Sequence, residues 1–137
     1  MNDDDLKRIL TATHTIATVG LSSNPAKDSY SVAAYLKSQG YHMIPVNPIA
    51  TEILGEKVYP DLLAIPDKID VVQIFRPSND VPPIVEQAIQ IGAKVVWMQI
   101  GIAHPEAAYT AEKAGLQVVM NQCMRATHIR LIGSSAA

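Results

Sequence analysis

A short loop of small and polar residues has the residue types most suited to ligand chemistry. It runs from Gly20 to Lys27, after an apolar segment that ends at Val19 and before a predicted helix that begins at about Ser29. Backbone N–H groups at the start of a helix have no partners within the helix, and the helix dipole favours negative charge there. We therefore expect the phosphate groups of a nucleotide-like ligand to bind at this loop.

The loop departs from the G-x-G-x-x-G pattern of dinucleotide-binding proteins. Gly20 matches the first glycine, whereas Ser22 and Pro25 stand in place of the second and third. The second predicted strand is followed by Asn47, where a dinucleotide site needs an acidic residue for the ribose hydroxyls. These replacements favour a phosphorylated ligand other than NAD. An ordinary strand-to-helix turn stays open as the alternative.

An arginine follows the third predicted strand. Arg76 lies between Phe75 and Pro77, at the end of an apolar run. Its guanidinium group can form two hydrogen bonds with one phosphate. It can equally form an ion pair with Asp80 or Glu86, and the sequence leaves both interpretations open.

Cysteine and histidine give little support for catalysis. Cys123 follows the last predicted strand, where its thiol could act in redox chemistry or simply pack as a small side chain. His128 lies five residues later, on a different face of a helix, so we expect no Cys–His nucleophile pair. His14, His42 and His104 stand singly. We therefore expect neither catalytic residues nor a metal site.

Composition narrows the class of protein. The chain has 137 residues, a formal net charge of −2 and no basic run, so we expect one domain and no nucleic-acid partner. Cys123 is the only cysteine, which favours a reducing, cytoplasmic location. The acidic N-terminus does not have the pattern of a signal peptide, and we expect no membrane span. Gly133–Ala137 is typical of a frayed tail.

Apolar segments alternate with segments of helical periodicity. We predict strands at 16–19, 42–46, 70–75, 94–99 and 116–120. We predict helices at 3–12, 29–39, from 79 or 80 to about 91, 106–114 and 121–131, with a small β-excursion around Gly55 and a helical turn at 61–65. The alternation predicts an α/β fold: a single Rossmann-like, doubly wound parallel sheet of about five strands with helices on both faces.

The strand order of such a sheet would be 3-2-1-4-5 or similar. Pro45 inside the second predicted strand nevertheless fits an edge strand or the end of a strand better than a central position. The carboxyl ends of parallel strands meet at one edge of the sheet, where open α/β proteins bind ligands. The loops at that edge would begin at Gly20, Asn47, Arg76 and Gln99, and after the last strand at Asn121.

Five segments of the sequence together resemble the small bacterial CoA-binding protein family. They are VGLSSNPAKDSYSVAAYLKSQGY, IPVNP, EILGEKVYPDL, IDVVQIFRPSNDVPPIVEQAIQIGAKVVWMQIGI and AEKAGLQVVMNQCM, within a resemblance that extends from about Leu6 to Leu131. That family is a stand-alone Rossmann-like domain, similar to the CoA-binding domain of the succinyl-CoA synthetase alpha subunit. The resemblance implies non-catalytic binding of coenzyme A or an acyl-CoA.

The resemblance also implies which residues meet the ligand. The phosphates would lie at Gly20, Ser22, Ser23, Asn24 and Pro25, with Lys27 and Ser29 close by. The adenosine would lie by Asn47, Pro48, Phe75, Arg76 and Pro77. The pantetheine arm would follow Met98, Gln99 and Ile100. Synthetase relatives often have a lysine shortly after Pro48, where this chain has Ile-Ala-Thr, so a cation on the phosphates would come from Lys27 or Arg76.

Two other classes of function stay open. One is a nucleotide-dependent enzyme whose chemistry comes from its ligand or from a partner chain. The other is a subunit of a CoA ligase-like complex that needs a partner, although the synthetase domain with the phosphorylated histidine has no counterpart in this sequence. A homo-oligomer or an unknown protein partner is compatible with each class.

Overall fold

A computed structural model describes residues 1–133, so the predicted frayed tail lies outside the described residues except for Gly133. Five strands form one parallel sheet in the order β2-β1-β5-β6-β7. Their bounds are β1 Thr15–Val19, β2 His42–Val46, β5 Val71–Ile74, β6 Val95–Met98 and β7 Gln117–Val119. The predicted excursion around Gly55 is a two-stranded antiparallel hairpin of β3 (Glu52–Ile53) and β4 (Glu56–Lys57). The predicted Rossmann-like sheet is therefore confirmed.

The predicted strand order was wrong. In chain order the five strands of the sheet are arranged 2-1-3-4-5 and not 3-2-1-4-5, because β5 pairs with β1 and does not lie outside β2. Pro45 accounts for the difference: it has no backbone N–H to donate, so β2 is suited to the edge of the sheet. The outer side of β2 forms a single bridge, between Val46 and Tyr59.

Helices cover both faces of the sheet. One face packs against α1 (Asp3–Ala12), α2 (Asp28–Ser38) and α5 (Met124–Leu131). The other packs against α3 (Val81–Gln90), α4 (Pro105–Lys113) and a short 3₁₀ turn at Leu62–Ala64. Successive strand side chains alternate between these faces: Trp97 is fully buried on the first face and Met98 on the second.

Asn2 caps α1 by accepting a hydrogen bond from the Asp5 N–H at 2.9 Å, and Asp3, Asp4 and Asp5 lie in the first turn of that helix. The last helix begins at Met124 and not at Asn121. Asn121 has a φ of 57°, and its side-chain oxygen accepts a hydrogen bond from the Gly101 N–H, which excludes it from the helix.

None of the helices within residues 1–133 is both long and apolar enough to cross a membrane.

Candidate functional site

The direction in which successive strands are added to the sheet reverses between β1 and β5. The chain leaves β1, forms β2 on one side of it, and returns to form β5 on the other side. The loops after β1 and β5 therefore diverge at the carboxyl edge, and such a switch point is where open α/β sheets bind ligands. Two clefts open at this edge, one on each face of the sheet.

Gly20 allows the two diverging loops to touch. It has a φ of +86°, and a Cβ atom added there would lie 2.9 Å from the carbonyl oxygen of Phe75 and 3.0 Å from Cδ of Arg76. The Gly20 N–H also donates to the carbonyl oxygen of Val46 at 3.0 Å. Backbone conformation and lack of space both require glycine at this position, which explains the one glycine that the loop shares with the dinucleotide pattern.

The first cleft, of about 550 Å³, lies on the face of α3. Five of the residues predicted to meet a ligand line it: Gly20, Ser22, Asn47, Pro48 and Arg76. They come from the loops after β1, β2 and β5. The sequence did not indicate the remaining lining residues, namely Val19, Val46, Pro60, Asp61, Asn79, Asp80, Pro83, Ile84 and Gln87. Five of these lie just before α3 or within it, and which side of that helix faces the cleft depends on how the helix packs against the sheet.

The loop after β1 is less open to anions than its sequence suggested. The Ser22 N–H donates to Oγ of Ser29 at 3.0 Å, the Asn24 N–H to Oγ of Ser22 at 3.0 Å, and the Ala26 N–H to Oδ1 of Asn24 at 3.0 Å. The Lys27 N–H donates to the carbonyl oxygen of Asn24 at 3.0 Å and the Gly20 N–H to that of Val46, so five backbone N–H groups of the loop already have partners. The hydroxyl groups of Ser22 and Ser29 still have their own hydrogens to donate, and in the part of the chain that the structure describes no side chain caps α2.

Asn47 joins two of the loops that line the first cleft. Its Nδ2 donates to the carbonyl oxygen of Leu21 at 3.0 Å. Its Oδ1 accepts from the N–H groups of Ile49 and Ala50, at 2.8 and 3.1 Å. The side chain thus fixes the loop after β2 against the loop after β1, and one amide hydrogen is left for another partner.

Arg76 forms the ion pair that the sequence left open. Its NH2 atom lies 2.8 Å from Oδ2 of Asp80, and both side chains are about half exposed and line the first cleft. Asp80 precedes α3, but its carboxylate bonds to Arg76 and does not cap the helix. A pair this exposed contributes about 1 kcal/mol or less, so the guanidinium group can turn toward a stronger anion at low cost.

The second cleft, of about 250 Å³, lies on the opposite face between the starts of α2 and α5. Phe75, Gln99 and Ile100 are the predicted residues that line it. The cleft is also lined by residues that were not predicted from the sequence: Asp28, Val32, Ile102, Cys123 and Arg125. The position of Cys123 in the loop after the last strand was the one feature of the sequence that placed a member of this group near the ligand edge.

The other predicted residues lie outside both clefts. Exposed residues near the first loop account for most of them: Ser23, Asn24, Pro25, Lys27 and Pro77. Ser29 is buried behind the loop. The prediction that Met98 lines the path of the pantetheine arm was wrong. Its side chain is fully buried in the apolar core on the α3 side, so it is not available to a ligand.

A chain of buried polar side chains crosses the sheet beneath the second cleft. Oγ1 of Thr18 donates to Oε1 of Gln73 at 2.8 Å, and Nε2 of Gln73 donates to Oε1 of Gln99 at 3.0 Å. The Met124 N–H, at the start of α5, donates to the same Gln99 oxygen at 3.0 Å. All three side chains are at most 2% exposed, so buried polar contacts join β1, β5, β6 and α5.

His128 bonds to a tyrosine. Its Nδ1 lies 2.8 Å from the hydroxyl oxygen of Tyr35, and its ring makes edge contacts with Tyr35 and Tyr41. Burial lowers the pKa of His128. Burial, and to a lesser degree the neighbouring Tyr35, raises the pKa of Tyr41 to about 12. Within residues 1–133, no group of three or more His, Cys, Asp or Glu side chains is arranged to hold a metal ion.

Residues 14–129 match the model of a family described as a CoA binding domain. The chain belongs to this family. The resemblance to CoA-binding proteins is therefore confirmed for most of the chain, from β1 into α5.

Three relatives are similar to this chain over most of its length or over part of it. YneT of Bacillus subtilis is 36% identical over 90% of this chain and 92% of its own length. A solved structure from Pyrococcus horikoshii is 47% identical, covers 97% of this chain and 94% of its own, and superposes with a TM-score of 0.94. The alpha subunit of ADP-forming acetate–CoA ligase I from Pyrococcus furiosus is 38% identical over 60% of this chain, a match that spans 19% of that subunit.

Proposed function

We propose that this chain binds coenzyme A or an acyl-CoA, without catalysing a reaction of its own, at the carboxyl edge of the sheet. One observation supports this most: residues from three separate loops, among them Ser22, Asn47 and Arg76, line one cleft of about 550 Å³ at the strand-switch point. That volume is within the usual range for small-molecule sites. Membership of the CoA binding domain family supports the choice of ligand.

In this proposal the phosphates lie by the loop after β1. The hydroxyl group of Ser22 and the uncapped start of α2 would donate to them, and Ser29, behind the loop, would hold the Ser22 N–H. Lys27, at the N-cap position of α2, and Arg76 would supply positive charge. The bond between Arg76 and Asp80 would open as the guanidinium turns to a phosphate, because charge-assisted contacts to phosphate are stronger than an exposed ion pair.

The two ends of the ligand would lie on opposite faces of the sheet. The adenosine would occupy the first cleft, by Asn47 and Pro48, with Pro77 at its rim. The arm would cross the Gly20 contact and enter the second cleft, by Phe75 and Gln99. Ser23, Asn24 and Pro25 would then border the phosphates from the exposed side of the loop, and Ile100 would cover the arm. We further propose that the chain acts as a single cytoplasmic domain.

Calorimetric titration with CoA, acetyl-CoA, NAD, NADP and ATP tests this proposal. We expect binding of CoA or acetyl-CoA in preference to NAD and NADP, because Ser22 and Asn47 replace the residues that a dinucleotide site needs. Binding of NAD without binding of CoA would refute it.

Replacement of Ser22 tests the position of the phosphates. Ser22→Asp keeps an acceptor for the Asn24 N–H but adds a negative charge in the cleft, and we expect CoA binding to weaken by about 1–3 kcal/mol. Thr110→Asp is the matched control, because it adds the same charge on α4, which contributes no residue to either cleft. Equal CoA affinity in the two variants would remove the loop from the site.

A subunit that needs a partner is a second candidate. The match to part of the Pyrococcus furiosus ligase subunit favours it. Ile49 and Ile100, which follow β2 and β6 at the ligand edge, are 89% and 70% exposed and could pack against another chain. Size-exclusion chromatography with light scattering, with and without CoA, tests whether the chain assembles with itself, and the variant Ile49→Ser would then weaken the assembly.

A further inference from the structure

The side-chain amide of Gln99 is held in one orientation. The Met124 backbone N–H is only a donor, so the Gln99 atom that lies 3.0 Å from it must be the oxygen. Gln73 donates to that same oxygen, and its own oxygen accepts from the Thr18 hydroxyl. Donors and acceptors therefore match along the whole series of hydrogen bonds from Thr18 to Met124. Nε2 of Gln99 is directed away from Met124.

This orientation leaves a donor without a partner. Within residues 1–133, Nε2 of Gln99 has no hydrogen bond, although the side chain is 98% buried. Every fully enclosed side-chain nitrogen or oxygen in the described part of the chain does have a partner. Nε2 must therefore reach solvent, and the second cleft, which Gln99 lines, is where it does so. A buried group with two free amide hydrogens favours an acceptor in that cleft.

We propose that the second cleft binds a carbonyl group of the ligand, with Nε2 of Gln99 as the donor to the carbonyl oxygen. The cleft suits a narrow, largely apolar chain that contains such a group: it has about 250 Å³, and Val32, Phe75 and Ile102 contribute apolar surface. The polar chain through Gln73 and Thr18 holds the donor in place before the ligand arrives, so little side-chain entropy is lost on binding. The matching chemistry is an amide or a thioester carbonyl.

This inference rests on the proposed function, because the arm of CoA has two amide carbonyls and an acyl-CoA adds a thioester carbonyl. Gln99→Glu tests it at pH 8. The carboxylate still accepts from Gln73 and from the Met124 N–H, but it presents an oxygen to the cleft in place of the N–H₂ group. We expect the dissociation constant for acetyl-CoA, which has both kinds of carbonyl, to rise about tenfold, the effect of losing one donor that faces a buried acceptor.

Adenosine 3′,5′-bisphosphate is the matched ligand, since it has the nucleotide end of CoA and no arm. Its affinity should be the same in the wild-type protein and in Gln99→Glu. A parallel loss for CoA and the bisphosphate would overturn the inference, because it would indicate a general effect on the fold. Failure of wild type to bind CoA or acetyl-CoA would overturn the proposed function itself.

Acetyl-CoA distinguishes the two carbonyl sources. If Gln99 donates to the thioester, acetyl-CoA should bind wild type more tightly than CoA does, and Gln99→Glu should abolish that difference. If it donates to an amide of the arm, both ligands should weaken by the same factor in the variant. Unchanged affinity for both would overturn the inference.

A measurement on the wild-type protein provides a second test if Gln99→Glu does not fold. Cys123 lines the same cleft and is partly exposed, so its rate of alkylation by iodoacetamide reports whether the cleft is filled. Saturating acetyl-CoA should slow alkylation at least about fivefold, whereas adenosine 3′,5′-bisphosphate should not. Equal rates with acetyl-CoA bound and absent would show that the arm lies elsewhere.

Discussion

The contact between Gly20 and Phe75 leads to a prediction about stability. In Gly20→Ala the new methyl group would lie 2.9 Å from the Phe75 carbonyl oxygen and 3.2 Å from its carbonyl carbon. Both are backbone atoms that cannot turn aside as a side chain could. The Phe75 N–H donates to the carbonyl oxygen of Val19 at 2.9 Å, which holds this segment against β1. The contact can be relieved only if the loops after β1 and β5 move apart.

The size of the effect has three components. A left-handed conformation costs an alanine about 1–2 kcal/mol relative to glycine. A methyl group forced into a filled space costs about 1–3 kcal/mol. The loss of unfolded-state freedom returns about 0.4–1 kcal/mol. We therefore expect Gly20→Ala to lower the free energy of unfolding by about 2–4 kcal/mol.

Gly115→Ala is the matched control. Gly115 has a similar φ, +94°, but within residues 1–133 no atom beyond its chain neighbours lies within 4 Å of the position that a Cβ would take. It should lose only about 1 kcal/mol, the cost of the conformation less the gain from the unfolded state. Urea unfolding followed by circular dichroism measures both values. Equal losses in the two variants would refute the close contact between the loops.

Three further predictions concern single side chains. Gln73→Leu should lower the free energy of unfolding by about 1–3 kcal/mol in urea unfolding, and adding Thr18→Val should cost little more, because the hydroxyl has already lost its acceptor. Asp80→Asn should raise CoA affinity in calorimetry and change thermal stability little, because it frees Arg76 from an exposed ion pair. Because the pKa of His128 in the folded protein is below its ordinary value of 6.5, the unfolded state binds the proton first as the pH falls. Stability should therefore decline below about pH 6.5 until the folded pKa is passed, and urea unfolding of His128→Phe should show a smaller decline.

The sequence predicted the helices and strands well because each has a local signal. Apolar runs, helix caps and glycines at helix ends are visible within about ten residues. The order of the strands depends on which distant edges pair, and no local signal reports that pairing. Pro45 gave the one hint, an edge position for β2, and the predicted order did not respect it.

The site was predictable at the level of loops but not of side chains. Parallel strands bring their carboxyl ends together whatever the sequence of the loops, so Gly20, Asn47, Arg76 and Gln99 were correctly predicted to lie at the same edge of the sheet. Which of them faces which cleft depends on packing against helices. The same limit applies to the loop amides, since the bond from the Ser22 N–H to Oγ of Ser29 depends on where α2 lies relative to the loop.

Two consecutive residues explain why the site has two parts. Phe75 lines the second cleft and Arg76 the first, so the chain that leaves β5 divides the carboxyl edge of the sheet. Gly20 lies against these two residues and places no side chain between the two clefts. In the proposed mode of binding, a ligand with a charged nucleotide end and a long apolar arm would cross at this point and use both clefts. A compact nucleotide would fill only the first cleft, and the free amide of Gln99 would then have no partner. In the proposed mode of binding, the two-part site would therefore suit CoA better than a simple nucleotide.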